Sequence, residues 1–359
     1  MNVLSGIIVI FSILGAVDCV LNNRFGIGKE WERGFHLIGT MSLSMIGMIV
    51  LAPWIGQLIL NGLGSVVGNM PFDISVIAGS LLANDMGGAT LAINIARDEQ
   101  IGYYNGLIVG AMMGATISFT LPLAMAVVEK RQQRAMLFGL LCGIVAIPVG
   151  CFVAGIMAGI AIAELFVNLI PLIVLAVLLA IGLMKIPDLC VKVFRVLSTG
   201  IKIFIIFGIV VGIIRFLTGY ELISSAASIE DGVLIVFNVA VVMSGTFPLI
   251  HIVSRLLRKP LMLIGNKIGI NETSMMGFLA TMTTNVTTFA MMKNMDERGV
   301  ILNSAFAVSG AFVFAGHLAF TMSFNESFVP SMVVGKLIAG ILSVGIAWFA
   351  VRKGSLYSE

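Results

Sequence analysis

Leu81-Leu82-Ala83-Asn84-Asp85-Met86-Gly87-Gly88-Ala89-Thr90 puts a carboxylate and two adjacent glycines at the middle of an apolar segment running from about residue 73 to 96. Each interior glycine weakens a helix by roughly 1 kcal/mol relative to alanine. An ionisable group at that depth in hydrocarbon is costly and marks a functional site by default. Met282-Thr283-Thr284-Asn285-Val286-Thr287-Thr288 interrupts a second apolar segment, about 270 to 292, with a run of side-chain hydrogen-bonders. Both segments read as helices broken at their centres. Irregular backbone at membrane depth is tolerated only where protein buries it or where it lines a watery cavity, so the two breaks point at one site.

The surrounding sequence makes the membrane setting firm. Of 359 residues, 59% are hydrophobic and 11% charged, against roughly 45–50% apolar and 25% charged in a soluble domain. Such a chain has too little polar surface to face water. Its 40 glycines and 22 methionines suit helices packed closely in lipid. The run Val3 to Val20 has no basic region before it and no small-x-small site after it, so it reads as a first span rather than a cleaved signal. The net charge of +3 is too small and too scattered to suggest nucleic acid. Cys19, Cys142 and Cys151 lie in apolar runs and Cys190 in a basic loop, with no spacing that would hold a metal or a disulfide frame.

About eleven apolar segments are long enough to cross or enter a bilayer: 3–22, 35–60, 73–96, 105–127, 136–160, 165–184, 199–217, 232–255, 270–292, 300–322 and 329–351. Cytoplasmic loops are enriched in Lys and Arg, which tests whether all of them cross. Basic clusters fall at Arg24, Lys29 and Arg33; at Lys130, Arg131 and Arg134; at Lys185, Lys192 and Arg195; at Arg255, Arg258, Lys259 and Lys267; and at Arg352 and Lys353. If every segment crossed, the Lys130 cluster would oppose the Arg24 cluster. If 73–96 and 270–292 are re-entrant hairpins, all five clusters share one face and the acidic Glu221, Glu230 and Asp231 loop takes the other. The expected fold is therefore an all-α polytopic membrane protein with about nine transmembrane helices and two re-entrant or broken hairpins.

The halves also align at an offset of about 200 residues. Asn84-Asp85 meets Thr284-Asn285; Arg97-Asp98-Glu99 and Asn105 meet Asp296-Glu297-Arg298 and Asn303; Met45 and Pro53 meet Met243 and Pro248. This predicts a first repeat over 1–163, a linker helix and basic loop over 164–198, and a second, inverted repeat over 199–359. Inverted repeats with discontinuous helices meeting at the midplane are the architecture of many secondary transporters.

Asp85 is the first candidate site residue, as a cation ligand or proton carrier; the alternative is that it caps a half-helix. Asn84, Asn285, Thr287 and Thr288 either bind a small polar ligand or satisfy the backbone freed by the breaks. His317 either lines the site and relays protons or joins two helices. Asp18 lies toward the end of the first span and Lys336 seven residues into the last, and for both snorkelling to the interface competes with a role in coupling. Asn271 and Glu272 begin a segment, as a helix start or as ligands. No phosphate-binding loop, redox motif, HExxH or GxSxG is present, which argues against ATP-driven pumping and hydrolysis. No metal and no cofactor are expected.

Together with Gly110-Ala-Met-Met-Gly114, Ile147-Pro-Val-Gly-Cys151, Lys259-Pro-Leu-Met, Met291-Met-Lys-Asn-Met-Asp296-Glu-Arg-Gly, Asn303-Ser-Ala-Phe-Ala-Val-Ser309, His317-Leu and Val334-Gly-Lys336-Leu-Ile, the Leu82-Ala-Asn-Asp85-Met-Gly-Gly motif gives the chain a resemblance over nearly its whole length. It resembles the ethanolamine permease family of bacterial ethanolamine-utilisation systems, the EutH type. The resemblance implies a permease in the cytoplasmic membrane importing ethanolamine, with the basic loops and C-terminus cytoplasmic. A primary amine with a pKa near lysine's, about 10.4, is mostly cationic at neutral pH. Asp85 could then hold the ammonium while Asn and Thr groups take the hydroxyl. A carrier of another small polar solute, a channel-like facilitator and a membrane-embedded enzyme or scaffold are the competing readings, and a homo-oligomer remains open.

Overall fold

In a computed structural model the protein is described over residues 3–352, the side chains of 63–67 and 266 excepted; Lys353 of the last basic cluster lies outside the described residues. Every regular element among them is helical. Among the described residues eight helical stretches are long and apolar enough to cross a membrane. The elements that position the site are α1 (Val3–Val20), α2 (Gly28–His36), α3 (Ile38–Gly68), α4 (Ser75–Leu81), α5 (Gly88–Ile95) and α6 (Glu99–Val127). There follow α7 (Lys130–Met157), α8 (Ile162–Lys185), α9 (Pro187–Thr218), α10 (Ile229–Ile268), α11 (Glu272–Thr283) and α12 (Asn285–Met291). The chain ends with α13 (Glu297–Gly310), α14 (Gly316–Phe324) and α15 (Val329–Arg352).

The α4–α5 segment folds back on itself. Asp73 takes the Ser75 N–H on one carboxylate oxygen and the Arg97 N–H on the other, tying the start of the segment to its end. Its tip reaches Ser118 of α6, whose hydroxyl accepts the Ala83 N–H at 3.0 Å. The glycines Gly106, Gly110 and Gly114, one turn apart on α6, let the hairpin backbone lie against the helix. A Cβ at Gly114 would collide with the Leu82 carbonyl oxygen. Over Tyr104–Gly114 and Thr116–Thr120 α6 widens to a π-helix, a distortion found frequently at functional sites.

The α11–α12 segment is built the same way from different residues. Asp296 accepts the Asn271 N–H at 2.9 Å and Asn271 donates through its side chain to the Asn294 carbonyl, closing the base. Within the hairpin the Thr281 and Thr288 hydroxyls meet at 2.8 Å. Thr284 is extended and caps α12.

The two bases lie at opposite ends of α7. Arg131 and Gln132 at its start donate to the carbonyls of Lys293 and Met292, beside the second hairpin. Gln100, beside the first, donates to Ala158 just past its end. At 1.5 Å per residue the 28 residues of α7 span roughly 42 Å, enough to traverse a bilayer core of about 30 Å. The Lys130 end also gathers the other basic clusters. Arg255 donates to Phe25 O and Arg258 pairs with Glu272 at 2.7 Å, while Arg134 shares a cavity wall with Met184, Pro187 and Ile346.

Three expectations change. The proposed basic loop within 164–198 is helical: only Ile186 separates α8 from α9, so Cys190, Lys192 and Arg195 stand on the first turns of α9, started by Pro187 at a position where its missing N–H costs nothing. The 35–60 segment divides into the short α2 and the longer α3. The 300–322 segment is not one helix; it breaks at 311–315 between α13 and α14.

Candidate functional site

Both hairpin tips hydrogen-bond to α6, at positions two residues apart within one turn. Ser118 holds the first tip, and Thr120 accepts from Asn285 Nδ2 of the second at 2.9 Å. The third break docks on the second hairpin, with Phe312 N donating to Thr281 O and Phe314 N to Met282 O. Phe312 takes a positive φ of 58° there and its ring lies between Phe119 and His317. A non-glycine residue so placed costs roughly 1–3 kcal/mol, held by its surroundings.

Asp85 stands at the first tip on a short 3-10 turn, Asn84–Met86. Beyond its own backbone N–H, its carboxylate makes no hydrogen bond or ion pair with another described residue. It caps no half-helix either, since α5 begins after Gly87 with no side-chain cap. Gly87, at φ 96°, turns the chain from this tip into α5, and a Cβ there would meet Met48 at 2.6 Å. Asn84 is buried; its side-chain oxygen accepts the Asp85 N–H, while its Nδ2 has no partner among the described residues. Asn285 Oδ1, Ser309 Oγ and Thr321 Oγ1 are likewise buried and unpaired. Buried polar groups are normally satisfied, and an orphan costs about 1–3 kcal/mol. Several orphans in the segments around the breaks mark a surface suited to a polar ligand.

Lys336 is the charged group the snorkelling alternative misplaces. It is fully buried, with Nζ donating to Ala111 O of α6 and lying 3.1 Å from His317 Nδ1. Its positive charge acts on Asp85 without a direct ion pair. His317, 2% exposed, thereby joins α14 to α15. Asp18 does not reach an interface either; it is buried and accepts the N–H groups of Phe25 and Gly28 at 2.8 Å each, fixing the α1–α2 turn. Thr287 points outward, exposed, and Thr288 staples the hairpin internally through Thr281 and Gly277 O. Asn271 caps α11 and Glu272 is at the hairpin base.

The structure thus brings together Asp85, Asn84, His317 and Lys336, seats Asn285 on Thr120 of the helix that also receives the first tip, and leaves Asp18, Thr287 and Glu272 apart. It adds Ser118 and Thr120. Their signal was present in Thr116-Ile117-Ser118-Phe119-Thr120, three hydroxyls at alternate positions inside an apolar span. A cavity of about 370 Å3 opens at the Lys130 end, lined by Glu30, Arg33, His251 and Arg255, and reaches Thr283 beside the second tip.

A multi-pass helical membrane protein whose two broken hairpins dock on one central helix beside buried charged and polar side chains has the build of a transporter. Residues 2–350 match the family described as ethanolamine utilisation protein, EutH. The chain belongs to that family. It is similar to the probable ethanolamine permease EutH of Listeria monocytogenes serotype 1/2a (strain 10403S), 38% identical over 347 residues covering 97% of this chain and 93% of that protein. Proteins of the same name from Salmonella typhimurium (strain LT2) and Escherichia coli (strain K12) are each 33% identical over 385 residues, covering 97% of this chain and 94% of theirs. These are names of a transporter rather than an enzyme. No solved structure matches the chain.

Proposed function

We propose that the protein imports ethanolamine as the protonated amine, by alternating access at the site between the two hairpin tips. The observation that carries this reading is the Asp85 carboxylate, held at a helix break in the interior with no hydrogen-bond or ion-pair partner among the other described residues. A primary ammonium supplies the charge and the donors it lacks. Asn84 Nδ2 and Asn285 Oδ1, buried and unpaired, are a donor and an acceptor suited to the hydroxyl. The relatives named as probable ethanolamine permeases support the substrate.

The cavity beneath the second tip serves as the path from the site to the Lys130 end. That end carries the basic clusters, so the positive-inside rule makes it cytoplasmic in a cell membrane. Residues 1–163 and 199–359 act as inverted repeats, the second repeat's first helix beginning as early as Pro187. Matched pairs support this. Asp98 and Asp296 each cap the helix that follows a hairpin, and Asn105 and Asn303 each donate to a serine of the hairpin beside it, Ser75 and Ser274. The packing crosses over as well: a Cβ at Gly47 would strike Ile205 O and one at Gly245 would strike Ile8 O.

Uptake of labelled ethanolamine into vesicles of purified protein, at acidic pH to suppress passage of the neutral amine, tests the reading. Saturable uptake is expected in the wild type. Asp85→Asn, which keeps shape but loses the charge, should weaken apparent affinity by at least about tenfold. Undiminished uptake in Asp85→Asn would remove the carboxylate from the site, and no uptake by folded wild type would remove the substrate.

A further inference from the structure

We propose that Lys336 gives up its proton when a cationic amine binds at Asp85, so that one proton is exchanged for each amine and transport moves no net charge. The inference rests on the Asp85 reading above.

Lys336 is itself a primary amine on a tether, carried on α15 into the space the proposed substrate would share. Its partners are a carbonyl, Ala111 O, and an imidazole, His317 Nδ1 at 3.1 Å. The titratable groups acting on it from the packed elements are Asp85 at the first tip, His317 on α14 and Cys151 on α7; Tyr104 of α6 stands beside Cys151, donating to its carbonyl. Asp85 is the one carboxylate among them. With the lysine protonated, this buried region holds one positive and one negative charge, acting on each other without touching.

A second cation changes that balance. One carboxylate cannot offset two ammonium groups away from water, and the like charge favours the neutral form of the group that can deprotonate. Direct contact with Asp85 keeps the substrate's proton in place. Lys336 lacks that contact and has an acceptor beside it. The proton passes from Lys336 Nζ to His317 Nδ1, and the ring sheds its other proton from Nε2 toward water. The sum balances: amine cation plus protonated Lys336 give bound amine cation, neutral Lys336 and one released proton. Neutral Lys336 still donates to Ala111 O, so the α15–α6 contact survives. Release of the amine on the other side lets Lys336 reprotonate there. Net transfer is then that of the uncharged amine, independent of membrane potential, with the imported amine pulled inward by whatever reaction consumes it.

Two readouts on the full-length protein test this. In weakly buffered detergent at mildly acidic pH, with a pH indicator, ethanolamine hydrochloride should release about one proton per amine bound by the wild type. Lys336→Met, which keeps the unbranched stem without the charge, should bind the amine with proton release near zero. On vesicles adsorbed to a solid support, a concentration jump of ethanolamine should give no sustained current in the wild type and an inward current in Lys336→Met. Binding by the wild type without proton release, or a wild-type current, would overturn the exchange while leaving the substrate reading intact. Absence of binding by folded wild type would overturn the substrate reading and the exchange with it. The wild-type arms need no variant to fold.

Discussion

At the residue scale, what separates the site from its supports is whether a polar atom already has a partner. Asp18 and Asp85 are both carboxylates in apolar sequence. Asp18 is occupied by two backbone N–H groups of the turn that follows it; Asp85 has none but its own. Asp18→Asn should accordingly lower thermal stability while leaving the apparent affinity for amine near wild type, a pairing readable from melting curves and uptake on the same preparation. The two breaks separate further on the second hairpin. Asn285 bonds Thr120 and is buried, whereas Thr287 is exposed. Asn285→Ala is expected to cut uptake by about tenfold, from the loss of one buried hydrogen bond and the stranding of Thr120. Thr287→Ala should leave uptake unchanged; a comparable loss in Thr287→Ala would place the ligand on the other face of the hairpin.

At the element scale, each hairpin depends on backbones approaching where no side chain fits. Gly87 combines a left-handed φ with contact against Met48. Gly87→Ala carries about 1–2 kcal/mol of backbone strain and a similar overpacking cost. It should lower the melting temperature and disturb the tip that presents Asp85, so uptake falls with it. A Cβ at Gly62, by contrast, would meet no described residue within 4 Å, and Gly62→Ala serves as the matched control in the same melting and uptake series. The third break obeys a different logic. Ala311-Phe312-Val313-Phe314-Ala315, flanked by Gly310 and Gly316, holds no proline or polar residue, and Phe312 and Phe314 turn their N–H groups to the carbonyls at the end of α11.

At the scale of the whole molecule, the hairpin bases at opposite ends of α7 give a topology that chemistry can read. Glu99→Cys, beside the first base, and Lys293→Cys, beside the second, are both exposed positions. In a background lacking the native cysteines, a membrane-impermeant thiol reagent applied to intact cells should label Glu99→Cys, and Lys293→Cys only after the cells are opened. Labelling of both from outside would rule out opposed hairpins, and the reverse pattern would invert the orientation assigned from the basic clusters.

The sequence by itself determined that this chain lives in a membrane, that two of its segments break, and that Asp85 is exceptional. Those features are local: hydropathy, paired glycines and a carboxylate are properties of short stretches, and lipid penalises them wherever they fall. It also carried the family, through motifs spread over the whole chain. Only the tertiary structure decided which polar groups were already spent. Asp18 and Lys336 look alike in sequence, each a lone charge within reach of an interface in an apolar run, yet a backbone turn claims the first and the protein interior encloses the second. The third break, the α6 hydroxyls that receive both tips, and the Lys336–His317 pair are likewise products of packing. They arise from contacts between residues far apart in the chain, such as Lys336 with Ala111 and Asn285 with Thr120, and no local pattern encodes which distant backbone a side chain will meet.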